Sequence, residues 1–308
     1  MALARLLVCA SVLLINCWCW LAASAQQNVL TLAYQLTHVD QSEPFFSSDG
    51  KKVVYETKVG GFQQIFIMNV DGTGQTQVTH DPVDHDSPSW SPDGRRIAYV
   101  ADTGTDEAVY IISADGSDPQ RMTDRQHKFI HPNWSPDSTK LIFCSDDDLQ
   151  PPKKNASEIY VLDLNNKKLT TLISGGTNTY PSWSPDAKKI AFRRMLGEMN
   201  SEVFVADADG SNQRNLTNHP AFDGWPSWSP DGKQLVFASN RRANYQIFVM
   251  DADGSHVHLV ANTEGRATEP RWSPDGKSIY FSNCKKVDFG TDCEIMVAVL
   301  GQAPPPRR

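Results

Sequence analysis

A seven-residue phrase that returns at nearly constant spacing constrains this chain more than any other feature. It begins at Pro44 (P-F-F-S-S-D-G), Pro88 (P-S-W-S-P-D-G), Pro132 (P-N-W-S-P-D-S), Pro181 (P-S-W-S-P-D-A), Pro226 (P-S-W-S-P-D-G) and Pro270 (P-R-W-S-P-D-G). Successive copies lie 44, 44, 49, 45 and 44 residues apart. A period in the forties, with strand-like segments inside each unit, implies an all-β propeller with one four-stranded antiparallel blade per repeat. Six phrases predict six blades.

The second copy serves as the template. Pro88 to Ser91 reads as the innermost strand, with Trp90 wedged between neighbouring blades. In Ser91-Pro92-Asp93-Gly94, proline presets φ, aspartate bonds to the local backbone and glycine takes the left-handed conformation, so the chain turns. Arg96 to Val100 and Ala108 to Ser113 are the next two strands, rich in β-branched and aromatic residues. Asp115-Gly116 is a hairpin signal leading to a polar outer strand at Gln120 to Thr123.

The sixth repeat stops after a third strand at Glu294 to Val299, while Leu36-Thr37-His38 aligns with Val78-Thr79-His80 and Leu216-Thr217-Asn218. The N-terminal strand is therefore expected to act as the outer strand of the last blade and close the ring, leaving no open seam. Ahead of it, Arg5, the apolar run Leu6 to Ile15 and Ala23-Ser24-Ala25 give residues 1–25 the pattern of a cleaved signal peptide, predicting secretion or a periplasmic location. Residues 26–301 form a single propeller on this reading, and 302–308, rich in proline and arginine, a disordered tail. The 308 residues carry a net charge of −7 and no basic run, which argues against nucleic acid or an anionic membrane as partner. No other segment has the roughly 20 apolar residues of a membrane span, and a monomer is expected.

Cys284 ends the second strand of blade 6 and Cys293 begins the third, opposite each other at a hairpin mouth, so a disulfide is expected in an oxidising compartment. Cys144, in the apolar strand Leu141 to Cys144, reads as a buried free thiol with no histidine beside it in sequence.

The phrase P-x-W-S-P-D-G-K/R, followed by an I-A-F/Y strand and a V-M-D-A-D-G turn, resembles the TolB-type propeller repeat over residues 30–300. The resemblance implies a propeller that binds partners on one face. TolB, the periplasmic component of the Tol-Pal envelope system, carries an α/β domain before its propeller, for which this repeat layout leaves no room. Propellers resembling this one also occur in oligogalacturonate lyases.

Antiparallel connectivity puts the Ser-Pro-Asp-Gly turns on one rim and site residues on the other. Immediately before the blade-opening prolines stand Glu43, Ser87, His131, Tyr180, Trp225 and Glu269, expected to ring the mouth of the central channel. They vary while the phrase stays constant. Glu43 and Glu269, from blades made adjacent by closure, with His131 or with His85 and Asp86, suit a divalent cation, calcium or a transition metal. Alternatively these polar residues surround a solvent-filled channel. Tyr180 and Trp225 offer flat faces for a sugar ring or a peptide side chain, or pack against neighbouring loops. Asp207 to Gly210 and Asp251 to Gly254 resemble the start of a calcium loop but lack its terminal glutamate, and hairpin turns explain them. Arg193-Arg194 and Arg241-Arg242, at the ends of second strands, either meet an acidic ligand or are solvated. No nucleophile elbow, phosphate loop or metalloprotease helix occurs, which favours binding of an envelope or extracellular protein, peptide or glycan over catalysis. The competing reading is a metal-assisted lyase or hydrolase acting on an acidic substrate, with His131 and Tyr180 moving the proton.

Overall fold

The inner strands run Gln41–Phe46, Asp84–Trp90, Phe129–Trp134, Thr177–Trp183, Asp223–Trp228 and Arg266–Trp272, each opening a four-stranded antiparallel sheet. These six sheets are the blades of a propeller, seen here in a computed structural model that describes residues 32–37, 40–124, 127–145, 156–285 and 292–301. Residues 1–25, expected to be a leader, and 302–308, expected to be a tail, lie outside the described residues. In blade 2 the inner strand starts four residues before the proline where the phrase suggests its start, because pairing with Arg96–Asp102 continues past Pro88 through Asp84.

Ring closure follows the expected route. Leu32–Gln35 pairs antiparallel with Cys293–Val299 as the outer strand of blade 6. The threonine after four of the outer strands has a definite role: its hydroxyl accepts a backbone amide of the third strand. Thr79 takes Ile65 N at 2.9 Å, Thr123 takes Val109 N at 3.1 Å and Thr217 takes Val203 N at 3.0 Å. Thr37 does the same for Ile295 N at 3.0 Å across 258 residues, so the closing strand reproduces the contact of an ordinary blade.

The core lies between blades. Each of six buried clusters joins two neighbours, as when Val54 and Ile65 of blade 1 pack on Trp90, Ile97 and Tyr99 of blade 2. The cluster of Phe46, Val53, Tyr55 and Met68 with Tyr280, Ile295 and Val297 joins blade 1 to blade 6. An apolar face on each side of every sheet is why the second strands read as near-continuous hydrophobic runs.

The phrase turns are built as their residues predict. Ser91 Oγ donates to Asp93 Oδ1 at 2.6 Å, the same carboxylate oxygen accepts Arg95 N at 3.0 Å, and Gly94 sits at φ 75°. In blade 4 the glycine is replaced by Ala187, held at φ 58°. Relieving that left-handed alanine with Ala187→Gly is expected to stabilise the protein by roughly 0.5–1 kcal/mol in urea unfolding. Asp209 and Asp253 spend one oxygen each on the amide and hydroxyl of Ser211 and Ser255, as hairpin turns do.

Cys284 and Cys293 form the disulfide and face each other directly across the blade 6 hairpin. Replacing both with serine is expected to cost roughly 2–3 kcal/mol, read as a lower urea midpoint, because the loop closed is short.

Candidate functional site

Every inner strand bulges at the residue before its proline. The register slips between Ser42 and Phe45, Asp86 and Ser89, Ile130 and Asn133, Thr179 and Ser182, Gly224 and Ser227, and Thr268 and Arg271. The residue at each slip takes a left-handed backbone: φ is 50° at Glu43, 52° at Ser87, 55° at His131, 53° at Tyr180, 54° at Trp225 and 53° at Glu269. The following proline disfavours the right-handed helical basin, and the bulge turns the side chain out of the sheet alternation. Five of the six, Glu43, Ser87, His131, Tyr180 and Glu269, line a narrow well of about 20 Å³ at the channel mouth, together with Asn133 and Arg271. That is space for about one water-sized group.

A second tier lies behind this ring, twelve residues beyond each proline: Glu56, Val100, Cys144, Arg193, Ala238 and Ser282. It braces the first. Glu56 accepts Ser42 Oγ at 2.8 Å and Ser87 N at 3.2 Å, tying blade 1 to blade 2. Ser282 Oγ accepts Glu43 N at 3.0 Å and donates to Glu269 Oε2 at 2.7 Å, tying blade 6 to blade 1. Cys144 Sγ lies 3.4 Å from His131 Nδ1. No histidine is near this thiol in sequence, but the strands Phe129–Trp134 and Lys140–Ser145 pair and bring residues 13 apart together. Cys144 is fully buried, so it reaches the well only through His131.

The electrostatics of the mouth are lopsided. Burial, then the charges of Glu56, Glu269 and Asp86, pushes Glu43 well above the usual carboxyl range, against the pull of Arg271. Burial, then Asp86 and Glu269, pushes Glu56 up to about 8. Asp86 rises to about 7 through burial and neighbouring carboxylates, with the Ser87 hydroxyl opposing. Glu269 is raised by burial, with its Ser282 hydrogen bond and Arg271 holding it back. On the other side, burial and the charges of Arg193 and Arg271 hold His131 well below its ordinary value, so it is neutral at pH 7. Burial also raises Tyr180, which keeps its proton. The His131 and Tyr180 rings stack with centroids 3.7 Å apart.

Two sequence candidates are placed elsewhere. His85 turns into the interface between blades, packing edge-on to Tyr99 at 5.4 Å. Trp225 is 2% exposed, its faces covered by Tyr180, Phe222, Tyr245 and the guanidinium of Arg193 rather than offered to a ligand. Glu43, His131 and Glu269 share the well without forming a cation cage. Among the described residues no three histidine, cysteine, aspartate or glutamate side chains converge closely enough to hold a metal ion. The positive charge beside Glu43 and Glu269 comes from Arg271. Glu56 and Arg271 were not singled out in the sequence. Their signal is a polar residue where the other repeats vary, Glu56 after the aromatic of the second strand and Arg271 as the second letter of the phrase.

The model of the TolB beta propeller domain matches residues 27–151 and 150–298. The chain belongs to that family. No curated protein matches the sequence. TolB from Acinetobacter baumannii is similar at 23% identity and TM-score 0.63, the match covering 79% of this chain and 57% of that one. The putative TolB from Agrobacterium tumefaciens is 21% identical with a TM-score of 0.65 over 88% of this chain and 97% of that one. An oligogalacturonate lyase from Vibrio parahaemolyticus is 14% identical with a TM-score of 0.59, covering 90% and 95%. At these identities the likeness shows a common propeller, and this chain spans little more than half the length of the Acinetobacter TolB.

Proposed function

We propose that this TolB-family propeller is an exported binding module that takes a segment of a protein, peptide or glycan across its channel-mouth face. The observation that carries the reading is the ring of six non-glycine residues held at φ 50–55° before proline. Left-handed backbone costs about 1–2 kcal/mol at such a residue, and strain of this kind collects at ligand sites. The narrowness of the well, about 20 Å³ against the roughly 300–1,000 Å³ of pockets that engulf a small molecule, favours a ligand lying across the face with one group inserted. The leader-like N-terminus and the disulfide support export. No helix among the described residues is long and apolar enough to cross a membrane.

The test is selection of binders from a displayed peptide library and a glycan array. Loss of the selected ligands in Ser87→Trp, which fills the well, with retention in the opposite-rim variant Asp231→Asn, is the expected result. Retention in the mouth variant and loss in Asp231→Asn would overturn it.

An acidic-sugar lyase or hydrolase is the second reading. It is favoured by the neutral His131 stacked on the protonated Tyr180, a base and an acid side by side, and by the fold shared with an oligogalacturonate lyase. Turnover of oligogalacturonate that disappears in His131→Gln would establish it; no turnover by the intact protein would end it.

A further inference from the structure

The arginines of the upper rim differ in whether their charge is already answered. Arg241 pairs with Asp223 at 2.8 Å, and Arg194 donates to Asn178 Oδ1 at 2.7 Å and Gln213 Oε1 at 2.6 Å. Arg193 and Arg271 make no such direct contact, although Glu43 and Glu269 act on Arg271 from a distance. Among the described residues neither guanidinium makes a hydrogen bond or an ion pair, and Arg193 Nε is buried with no acceptor at all. Leaving a half-buried guanidinium without acceptors is costly.

Both have been given a defined place instead. The Arg193 guanidinium lies over Tyr180 at 4.8 Å, Phe222 at 5.2 Å and Trp225 at 5.5 Å, a box of aromatic faces. Arg271 lies over Phe45 at 5.3 Å and lines the well. Arg193 stands over the Tyr180 ring, and Tyr180 lines the well with Arg271, so both guanidiniums lie close to one ring at the mouth. Gly224 makes room for the arrangement. Its φ is not left-handed, so its backbone does not demand glycine, yet a Cβ there would stand 2.8 Å from Arg193 Cδ.

We propose that Arg193 and Arg271 form a carboxylate-binding site at the channel mouth, receiving the carboxylate of an acidic peptide side chain, a peptide C-terminus or a uronic acid. This names the group recognised by the mouth site proposed above and rests on that reading. The planar guanidinium fork, whose N–H donors have no acceptor here, matches a carboxylate better than any other common ligand group. The well excludes anything bulkier than a small terminal group. The carboxyls opposite, Glu43 and Glu269, do not satisfy the site, because neither comes within ion-pair distance of either arginine, and burial favours their neutral forms.

Isothermal titration tests this with acetyl-Gly-Glu-Gly-amide, acetyl-Gly-Gly-Gly with a free C-terminus and digalacturonate, each beside its neutral amide counterpart. Saturable binding of one or more acids, at least about ten-fold tighter than the matching amide, is expected for the loss of a charged hydrogen-bonded pair. Whichever acid leads identifies the source of the carboxylate. Arg193→Met and Arg271→Met are expected to abolish the preference for the acid. Gly224→Ala, which keeps the charge and displaces the Arg193 stem, is expected to weaken the acid and leave the amide unchanged. Equal affinity for acid and amide, no saturable binding of any acid, or a preference surviving both methionine variants would each overturn the site. Ligands selected at the mouth that carry no carboxylate would overturn this inference and leave the binding-module reading standing.

Discussion

Raising the pH from 5 to 9 is expected to cost the wild-type protein stability that Glu56→Gln retains. Glu56 is 6% exposed and titrates at about 8 in the fold, raised by burial first and then by Asp86 and Glu269. Its folded value lies above its ordinary value, so the folded state binds the proton more tightly than the unfolded chain. The group's cost is therefore absent below the ordinary carboxyl range, grows as pH rises through the interval up to about 8, and is complete above it. His131 works in the opposite sense at lower pH, because the unfolded chain protonates it more readily. Comparing variant with wild type at each pH removes that contribution. Ser42 Oγ and Ser87 N bond different oxygens of Glu56, so the glutamine keeps the tie between blades 1 and 2 by setting its carbonyl at Ser87 N and donating its amide to the Ser42 hydroxyl. Urea unfolding is expected to give nearly equal stabilities at pH 5 and an advantage of roughly 2–4 kcal/mol for Glu56→Gln at pH 9. A difference that does not change with pH would mean that Glu56 is not held in the enclosed acidic cluster described.

Deleting the chain through Thr37 is expected to be the most damaging change outside the hydrophobic clusters. The deletion removes the strand Leu32–Gln35 and the bond from Leu36 N to Ile295 O at 2.8 Å. It also removes the Thr37 acceptor for Ile295 N and the packing of Leu36 on the cluster shared by blades 1 and 6. What remains is a three-stranded blade with an exposed edge. At about 1 kcal/mol for each lost hydrogen bond plus the lost burial, the cost is on the order of 4 kcal/mol or more, or about 10 °C in the unfolding midpoint. Thr37→Ala isolates the cap and is expected to cost about 1–2 kcal/mol by leaving a buried amide unpaired. A deletion variant that melts with wild type would show that the ring does not depend on this closure.

The blades were legible because their determinants are local and repeated. The Ser-Pro-Asp-Gly turn needs only its own side chains, and the tryptophan or phenylalanine before it needs only a neighbouring blade, so six copies say the same thing. Closure was legible for the same reason, since Thr37 occupies the position of Thr79 and Thr217. The mouth was half legible. The residue before each proline varies where the phrase does not, and that contrast pointed to Glu43, Ser87, His131, Tyr180 and Glu269. Their left-handed backbone was not visible, because nothing in E-P, H-P or Y-P announces a bulge. The second tier stayed hidden because it is non-local: Cys144 reaches His131 only after a hairpin forms, and Ser282 reaches Glu43 only after the ring closes. Aligning the repeats twelve residues beyond each proline exposes Glu56 as a polar intrusion in an otherwise apolar second strand, at the same position as Arg193, which reads in the sequence only as a strand end. Trp225 follows the packing alternative, and its burial depends on Phe222, just ahead of its own strand, and on Tyr245 and Arg193 from other strands.

The central claim, that the channel mouth is the working face of this propeller, is tested most directly by amide hydrogen exchange of the protein with and without a selected ligand. The account predicts added protection at the bulged segments around His131, Tyr180 and Glu269, and none at the Ser-Pro-Asp-Gly turns. Protection confined to those turns or to the outer strands, with the bulges unchanged, would contradict it.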